Sequence, residues 1–252
     1  MTYENILYEE RGKVALISLN RPESRNAWNV ATVREVMAAV RRANASEAVG
    51  AIVLTGEGPV YCAGADIKAP PEPKDENGRR PNPSTLTMGQ GDDNWLRLLL
   101  DSKPVIAALN GPAVGLGATH VLCADIRIAA RSASLGFPFV RLGAMPECAS
   151  TALLGRLIGY GRATHLCLTA GSVTAEEALQ SGLVTAVHPD EELREEAIKL
   201  AERIGGYPAR QMKLTKQLLW ENAGEFDADA IMKRESSTFV GLLRSLGREK
   251  PL

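Results

Sequence analysis

Residues 107–125 place the end of a strand, a tight turn and a run of small residues in direct succession. This succession limits the possible folds more than any other part of the chain. The apolar run 105–109 is typical of a buried strand, and residues 110–112 favour a turn. The small residues 115–119 are compatible with a helix whose first amides lack intrahelical partners and can hold a developing negative charge. Two interpretations follow: a helix start that stabilises an anion, or glycines that only permit tight packing.

A dinucleotide-binding fingerprint is the main competing motif for the same glycines. Residues 115–120 lack its third glycine, and Asp125 follows far too soon to contact a ribose. The sequence therefore gives little support to a nucleotide-cofactor site of this kind.

The composition is that of a globular protein without an obvious macromolecular partner. Hydrophobic residues make up 45% of the 252 residues, enough for a large core. The net charge of −1 offers no basic surface for nucleic acid or an acidic membrane. The four cysteines and three histidines are scattered without metal-ligand spacing, and no apolar run has the length of a membrane span. We therefore expect a cytoplasmic protein with reduced thiols that binds no metal, nucleic acid or membrane.

Strands and helices alternate along most of the chain. The predicted strands cover residues 14–19, 51–55, 105–109, 126–130, 133–137 and 183–187. The predicted helices cover 30–43, 95–100, 174–181, 190–204, 209–222 and 226–243, and another is expected to begin within 143–147. This order predicts an α/β core over residues 1–190 and a C-terminal helical region over 191–252.

Residues 70–93 form a polar, proline-rich segment with little apolar periodicity. Connections of this length are usually either functional, as in lids, or disordered. Two interpretations remain open: a lid that partly covers a ligand site, or a passive solvent loop.

Two motifs, in residues 61–68 and 110–117, resemble the crotonase family, also called the enoyl-CoA hydratase/isomerase superfamily. They read YCAGADIK and NGPAVGLG, and residues 123–129 and 174–184 match as well. The likeness runs in order from Val14 to about Val187, with a helical tail of the expected length behind it. Two motifs at this separation are far more specific than either alone.

This resemblance implies a fold, a substrate and an assembly. The fold is a spiral of ββα units, followed by C-terminal helices through which the chain forms a homotrimer or a hexamer. The substrate is an acyl-CoA thioester, and no separate cofactor is implied because coenzyme A is part of that substrate. The amides of Ala65 and Leu116 match the pair that grips the thioester oxygen. Most relatives have glycine at the second position, so Leu116 is a departure that keeps the backbone donor and changes the pocket wall.

The resemblance also implies contacts with coenzyme A. The residues concerned are Asn26, Ala27, Ala63, Asp66, Ile67 and Lys68. The first two match the stretch that runs alongside the coenzyme, and the other four lie in what looks like its adenine-contacting loop.

Glu147 is the predicted catalytic acid and base. The two glutamates of typical hydratases would fall on Thr119 and Phe139, which cannot transfer a proton. Residues 145–151, MPECAST, instead resemble the Pro-Glu segment of Δ3,Δ2-enoyl-CoA isomerases. Moving a double bond requires one carboxylate that takes a proton from C2 and returns it at C4. The alternative for Glu147 is a carboxylate that merely benefits from a nearby helix start.

Three other reactive side chains near these motifs are expected to be structural. His120 is interpreted as a packed core histidine, Cys148 as a packing residue, and Asp125 as the residue that orders the turn into its strand.

The sequence thus favours a Δ3,Δ2-enoyl-CoA isomerase with a single glutamate. Two alternatives stay open. One is another thioester reaction on the same scaffold, such as an atypical hydratase or a hydrolase, and the other is a non-catalytic acyl-CoA-binding relative.

Overall fold

The buried apolar runs of the sequence assemble into one large and one small sheet. The computed structural model describes residues 2–74, 78, 80–89 and 94–247. The strands are β1 (Ile6–Arg11), β2 (Val14–Leu19), β3 (Ala51–Gly56), β4 (Val105–Leu109), β5 (Ala113–Val114), β6 (Ile126–Ala130), β7 (Ser134–Gly136), β8 (Ser172–Thr174) and β9 (Ala186–His188). Within the described ranges, the large sheet has the order β1-β2-β3-β4-β6-β9 and the small sheet the order β5-β7-β8.

The large sheet is parallel apart from its first strand. β1 and β2 form an antiparallel hairpin, and Gly12 adopts the positive φ of +55° that its turn needs. β2, β3, β4, β6 and β9 then pair in parallel. Parallel strands bring their carboxyl ends to one edge of a sheet, where open α/β folds bind ligands. The chain segments after β3 and β4 are those that carry the two motifs.

Helices cover the sheet and follow it. They are α1 (Val30–Ala45), α2 (Pro83–Thr87), α3 (Trp95–Leu100), α4 (Leu116–Thr119), α5 (Ser150–Ile158), α6 (Tyr160–Leu168), α7 (Ala175–Ser181), α8 (Leu193–Gly205), α9 (Ala209–Asn222) and α10 (Ala228–Ser245). Asn29 caps α1 by accepting a bond from the Thr32 amide, and Thr174 and Glu177 form the predicted capping box of α7.

The core lies between the large sheet and the helices packed on it. Every residue of β2, β3 and β4 is buried, and α8 contacts all three strands. α1 contacts β1 and β2 and buries one face, which includes Val33, Val36 and Val40. The strong burial explains why these strands are readable from their apolar runs alone.

The helix predicted to begin within residues 143–147 begins at Ser150. Cys148 and Ala149 both have positive φ, +54° and +56°, which a helix cannot accommodate. The Glu147 carbonyl then accepts a bond from the Ser150 amide. Glu147 therefore lies in the irregular segment just before α5, not in a helical turn.

The last predicted strand is shorter and later than expected. The amides of Leu183 and Val184 donate to the Ala178 carbonyl and close the end of α7 after Gly182, at φ +80°. Those amides are therefore unavailable to a sheet, and β9 begins only at Ala186.

The chain divides into two compact units, Met1–Gly206 and Tyr207–Leu252. The first unit includes α8, which packs on the large sheet. The boundary expected after residue 190 stays a prediction. The second unit contains α9 and α10, which contact each other. None of the helices in the described part of the chain is long and apolar enough to cross a membrane.

Candidate active site

The two motif segments lie side by side. Cys62 and Ala113 form a parallel bridge in which the Val114 amide donates to the Cys62 carbonyl at 2.9 Å. The Cys62 amide in turn donates to the Pro112 carbonyl at 3.2 Å. The loop after β3 is thereby joined to the segment that leads into α4.

The Ala65 amide points away from Trp28, the residue with which Ala65 is paired. Trp28 and Ala65 form a second parallel bridge: the Trp28 amide donates to the Gly64 carbonyl, and the Asp66 amide donates to the Trp28 carbonyl, each at 2.8 Å. In such a bridge the central residue directs its own N–H to the opposite side. The Ala65 amide makes no hydrogen bond within the described part of the chain and can donate to a ligand.

The Leu116 amide lies close to the same loop. Leu116 is the first residue of α4, so its N–H has no intrahelical acceptor, and Gly115 before it has a φ of +57°. A Cβ atom on Gly64 would lie 3.6 Å from the Leu116 nitrogen. The structure therefore brings together the backbone donors that the sequence assigned to Ala65 and Leu116.

Glu147 is held by two hydroxyl groups. The Thr119 hydroxyl donates to Oε1 at 2.7 Å, and the Ser84 hydroxyl donates to Oε2 at 3.3 Å. Thr119 lies at the end of α4, three residues after Leu116, which is about 4.5 Å along a helix axis. The carboxylate is thus tied to the same short helix that carries the Leu116 amide.

Burial raises the pKa of Glu147 above its ordinary value. The hydrogen bonds from Thr119 and Ser84 lower it, and desolvation outweighs them. The side chain is half-buried, so it remains accessible from one side. A half-buried carboxyl whose pKa is raised is a stronger base than an exposed one, and it is suited to accept and return a proton.

The described part of the proline-rich segment reaches this site. Ser84 belongs to α2, and Thr87 of the same helix accepts a bond from the Cys148 thiol at 3.2 Å. Residues 75–77, 79 and 90–93 of the expected lid lie outside the described residues. The sequence did not point to Ser84, because the segment lacks the apolar periodicity from which the direction of its side chains could be predicted.

His120 is a packed core residue, as predicted. Its Nδ1 lies 2.7 Å from the Leu116 carbonyl, which can only accept, so Nδ1 carries the proton. Nε2 lies 2.9 Å from the Tyr61 hydroxyl. Burial lowers the pKa of His120 to about 4, so the ring is neutral at physiological pH.

Cys148 and Asp125 also have the structural roles predicted for them. Burial raises the pKa of Cys148 to about 12, which keeps the thiol protonated and poorly nucleophilic. The Asp125 carboxylate accepts a bond from the Val105 amide at 2.8 Å and ties the start of β6 to β4. Phe139 is buried and carries no titratable group.

The side chain of Asn26 ties together the backbone of three neighbouring segments. Its Nδ2 donates to the carbonyls of Glu57 and Val60, and its Oδ1 accepts from the Arg21 amide, each at 2.8 Å. Because Asn26 is buried and fully bonded, any contact with a coenzyme would involve the backbone of its segment rather than this side chain.

Arg21, which the sequence did not single out, links two of the other residues predicted to contact coenzyme A. Its guanidinium donates to the Ala27 carbonyl and forms an ion pair with Asp66 at 3.0 Å. Asp66 also accepts a bond from the Lys68 amide at 3.1 Å. Ala63, Ile67 and Lys68 are exposed, with Ile67 at 93%. The loop thus presents exposed residues on a framework built by Arg21 and Asp66.

A family model described as enoyl-CoA hydratase/isomerase matches residues 9–243. The chain belongs to the enoyl-CoA hydratase/isomerase family. It is 38% identical over 242 residues to the short-chain-enoyl-CoA hydratase of Clostridium acetobutylicum, covering 95% of this chain and 89% of that protein. It is 37% identical over 241 residues to the crotonyl-CoA hydratase of Syntrophomonas wolfei subsp. wolfei, covering 95% of this chain and 90% of that protein.

Solved structures of the enoyl-CoA hydratase/isomerase family share this fold. A Thermobifida fusca YX protein solved in complex with CoA matches with a TM-score of 0.82 and 33% identity, over 97% of this chain and 95% of that one. The enoyl-CoA hydratase of Bacillus anthracis matches with a TM-score of 0.80 and 29% identity, over 99% and 98%. The predicted crotonase-like α/β core is confirmed, while the trimer-forming role of the C-terminal helices stays a prediction.

Proposed function

We propose that this protein moves the double bond of a 3-enoyl-CoA thioester into conjugation with the thioester carbonyl. The observation that carries the proposal is the arrangement of Glu147, which is bonded to Thr119 at 2.7 Å on the same helix that begins with the Leu116 amide. If the amides of Ala65 and Leu116 bound the thioester oxygen, the C2 atom next to the carbonyl carbon would lie close to this carboxylate.

The chemistry requires one base and a fixed pair of donors. Glu147 takes the proton from C2, and the electrons of that C–H bond delocalise onto the thioester oxygen as a dienolate. The amides of Ala65 and Leu116 stabilise this oxyanion, and one such donor is typically worth about 3–4 kcal/mol. Glu147 then returns the proton at C4, which leaves the double bond between C2 and C3.

Binding of the coenzyme portion is proposed at the loop of Ala63, Asp66, Ile67 and Lys68, beside the segment of Asn26 and Ala27. The exposed loop residues and the Arg21–Asp66 ion pair support this placement. The CoA complex of the Thermobifida fusca protein supports the ligand class.

Hydration of a 2-enoyl-CoA is the second candidate, favoured by the names of the relatives from Clostridium acetobutylicum and Syntrophomonas wolfei. Against it stand Thr119 and Phe139, at the positions where the family resemblance places the two hydratase carboxylates. Hydration by this chain would therefore have to proceed without that pair of carboxylates, with Glu147 acting in their place. A third candidate, acyl-CoA binding without turnover, leaves the half-buried and hydrogen-bonded Glu147 without a role.

A panel of thioesters separates these candidates. The purified protein is incubated with 3-enoyl- and 2-enoyl-CoA esters of several chain lengths, and the products are identified by mass spectrometry and NMR. Conjugated product without added water supports isomerisation. A gain of water from 2-enoyl esters with no isomerisation would replace the proposal by hydration, and binding with no product by a non-catalytic role.

We also propose that α9 and α10 carry the contacts of a homotrimer or hexamer. The two helices line a cleft of about 420 Å³ that includes Leu214, Leu218 and Phe239. Met232 and Phe239 are 64% and 53% exposed and line the same cleft, and a contiguous exposed apolar surface is typical of an interaction site. Light scattering coupled to size-exclusion chromatography tests the assembly, and a monomeric mass at micromolar concentration would contradict it.

A further inference from the structure

The two hydroxyl bonds to Glu147 differ in geometry. The 2.7 Å bond from Thr119 to Oε1 has the usual length of an O–H···O bond, whereas the 3.3 Å bond from Ser84 to Oε2 is long. Thr119 is fully buried, and Ser84 is half-buried. The Thr119 contact is therefore the stronger and better protected of the two.

The two hydroxyls also differ in the element that carries them. Thr119 lies on α4, which is joined to the coenzyme loop through Gly117 packed on Cys62. Ser84 lies on α2, a five-residue helix within the proline-rich segment. One oxygen of the carboxylate is thus bonded to the framework of the site and the other to a short, partly exposed helix.

The Thr119 hydroxyl has a second acceptor within reach, the Leu116 carbonyl at 3.3 Å. The charged carboxylate at 2.7 Å is the better acceptor, because a hydrogen bond to an ionised group is shorter and stronger. If Glu147 is protonated on Oε2, Oε1 keeps its lone pairs and the Thr119 bond persists. The proton can therefore come and go on Oε2 without disturbing Thr119.

We propose that the two hydroxyls bond to Glu147 in different states of the protein. Thr119 holds Oε1 in both the free and the acyl-CoA-bound protein, whereas Ser84 holds Oε2 only until the acyl-CoA binds. Oε2 is then the oxygen that exchanges a proton with the substrate. The inference rests on the proposed function insofar as it takes Glu147 as the acid and base.

Release of the Ser84 hydroxyl would make the Glu147 carboxylate a stronger base. A hydroxyl that donates to a carboxylate stabilises its charged form and weakens it as a base. Burial raises the pKa of Glu147, and the bonds from Thr119 and Ser84 work against that increase. Loss of the Ser84 bond on substrate binding would remove one of these opposing contributions when the base is needed.

Few other ionisable groups lie near Glu147 in the described part of the chain. α2 and α4 contain no titratable side chain, and the ring of His120 after α4 is turned to Tyr61. The thiol of Cys148, just before α5, is kept neutral by its raised pKa of about 12. Desolvation raises the pKa of Glu147 and its own backbone amide lowers it, and neither is removed by substituting a hydroxyl, so a difference between a hydroxyl variant and the wild type in the same state reports on that hydroxyl.

The test compares the free and the ligand-bound protein. The variants are Ser84→Ala, Thr119→Val, and Thr119→Ser as the conservative rescue. The carboxyl band of Glu147, identified by its loss in Glu147→Gln, is titrated by difference infrared spectroscopy with and without butyryl-CoA. The pH profiles of kcat/KM and of kcat are measured in parallel, because the first reports the free protein and the second the complex.

Ser84→Ala should move the titration of Glu147 to higher pH in the free protein and leave it unchanged with butyryl-CoA bound. Thr119→Val should move it to higher pH in both states, and it should lower kcat by about tenfold because Oε1 loses the bond that positions the carboxylate against α4, which outweighs the gain in basicity. Thr119→Ser should restore both. Thr85→Ala removes a hydroxyl from α2 that bonds to Asn82, and it should shift neither state.

Equal shifts of Ser84→Ala in both states, or no shift in either, would overturn the release of Ser84. Failure of Thr119→Ser to restore the wild-type titration would overturn the role of Thr119. The infrared titration needs no turnover. If it behaves as expected but no 3-enoyl-CoA is isomerised, the proposed function fails while the separate roles of the two hydroxyls stand.

Discussion

Gly117 and the carbonyl oxygen of Cys62 approach so closely that a Cβ atom on Gly117 would lie 2.3 Å from that oxygen. This contact presses α4 against the loop after β3 and so brings the Leu116 amide next to Gly64. At Gly64 a Cβ would lie 2.8 Å from the Val114 carbonyl oxygen, and the backbone has a φ of +102°. Both glycines are needed for the close approach, so the tight packing expected from the small residues is present, and the same packing places the Ala65 and Leu116 segments side by side.

Gly117→Ala should lower the free energy of unfolding by about 1–3 kcal/mol, because backbone must move to admit the new methyl group. Urea denaturation measures the loss. Gly155→Ala is the matched control, since a Cβ there meets no atom within 4 Å and the residue lies inside α5. That control should be neutral or more stable by up to about 1 kcal/mol. Equal stability of both variants would contradict the packing described here.

Glu147→Gln should abolish isomerisation while leaving acyl-CoA binding nearly unchanged. The amide keeps the size of the side chain but cannot accept the C2 proton, so the rate should fall by about 10²–10⁴-fold. Steady-state kinetics with a 3-enoyl-CoA measure the rate, and calorimetry with butyryl-CoA measures binding. Isomerisation at a near-normal rate in this variant would contradict the catalytic role proposed for Glu147.

Leu116→Gly should keep the proposed oxyanion donor and change the preference for acyl chain length. The donor is the backbone N–H, whereas the side chain is 2% exposed and fills space beside the site. Relative kcat/KM over a series of chain lengths is the measurement. Leu54→Ala controls for a general loss of stability, because it opens a cavity in β3 within the sheet. If Leu116→Gly were as inactive as Glu147→Gln, the role given to its side chain would be wrong.

His120 should make the protein less stable as the pH falls from about 6.5 to 4. Burial lowers the pKa of His120 to about 4, so the unfolded chain takes up a proton at a higher pH than the folded one. Its contribution to stability is complete above the ordinary pKa of 6.5 and is lost as the pH falls through the folded pKa. The expected loss is about 3 kcal/mol.

His120→Gln should lack this part of the pH dependence when urea denaturation is repeated at each pH. The exposed His165 provides the control, and His165→Gln should retain the wild-type dependence. A wild-type stability that stays flat between pH 6.5 and 4 would show that the imidazole is not buried as described.

The sequence alone determined the parts of the fold that depend on local pattern and strong burial. The strands β2, β3 and β4 were readable because every residue in them is buried, and Asn29 and Thr174 marked helix starts through their own side chains. The family motifs similarly predicted that the amides of Ala65 and Leu116 would meet, because backbone donors follow from chain order and survive a change of side chain.

Only the tertiary structure decided how Glu147 is held. Whether burial or hydrogen bonding dominates its pKa depends on Thr119, 28 residues earlier, and Ser84, 63 residues earlier. The late start of α5 likewise depends on the positive φ of Cys148 and Ala149, a backbone conformation that neither residue type prefers and that local sequence does not predict. Local sequence records which groups are available, but desolvation and long-range hydrogen bonds are properties of the folded surroundings, so they could be known only once the chain had brought distant residues together.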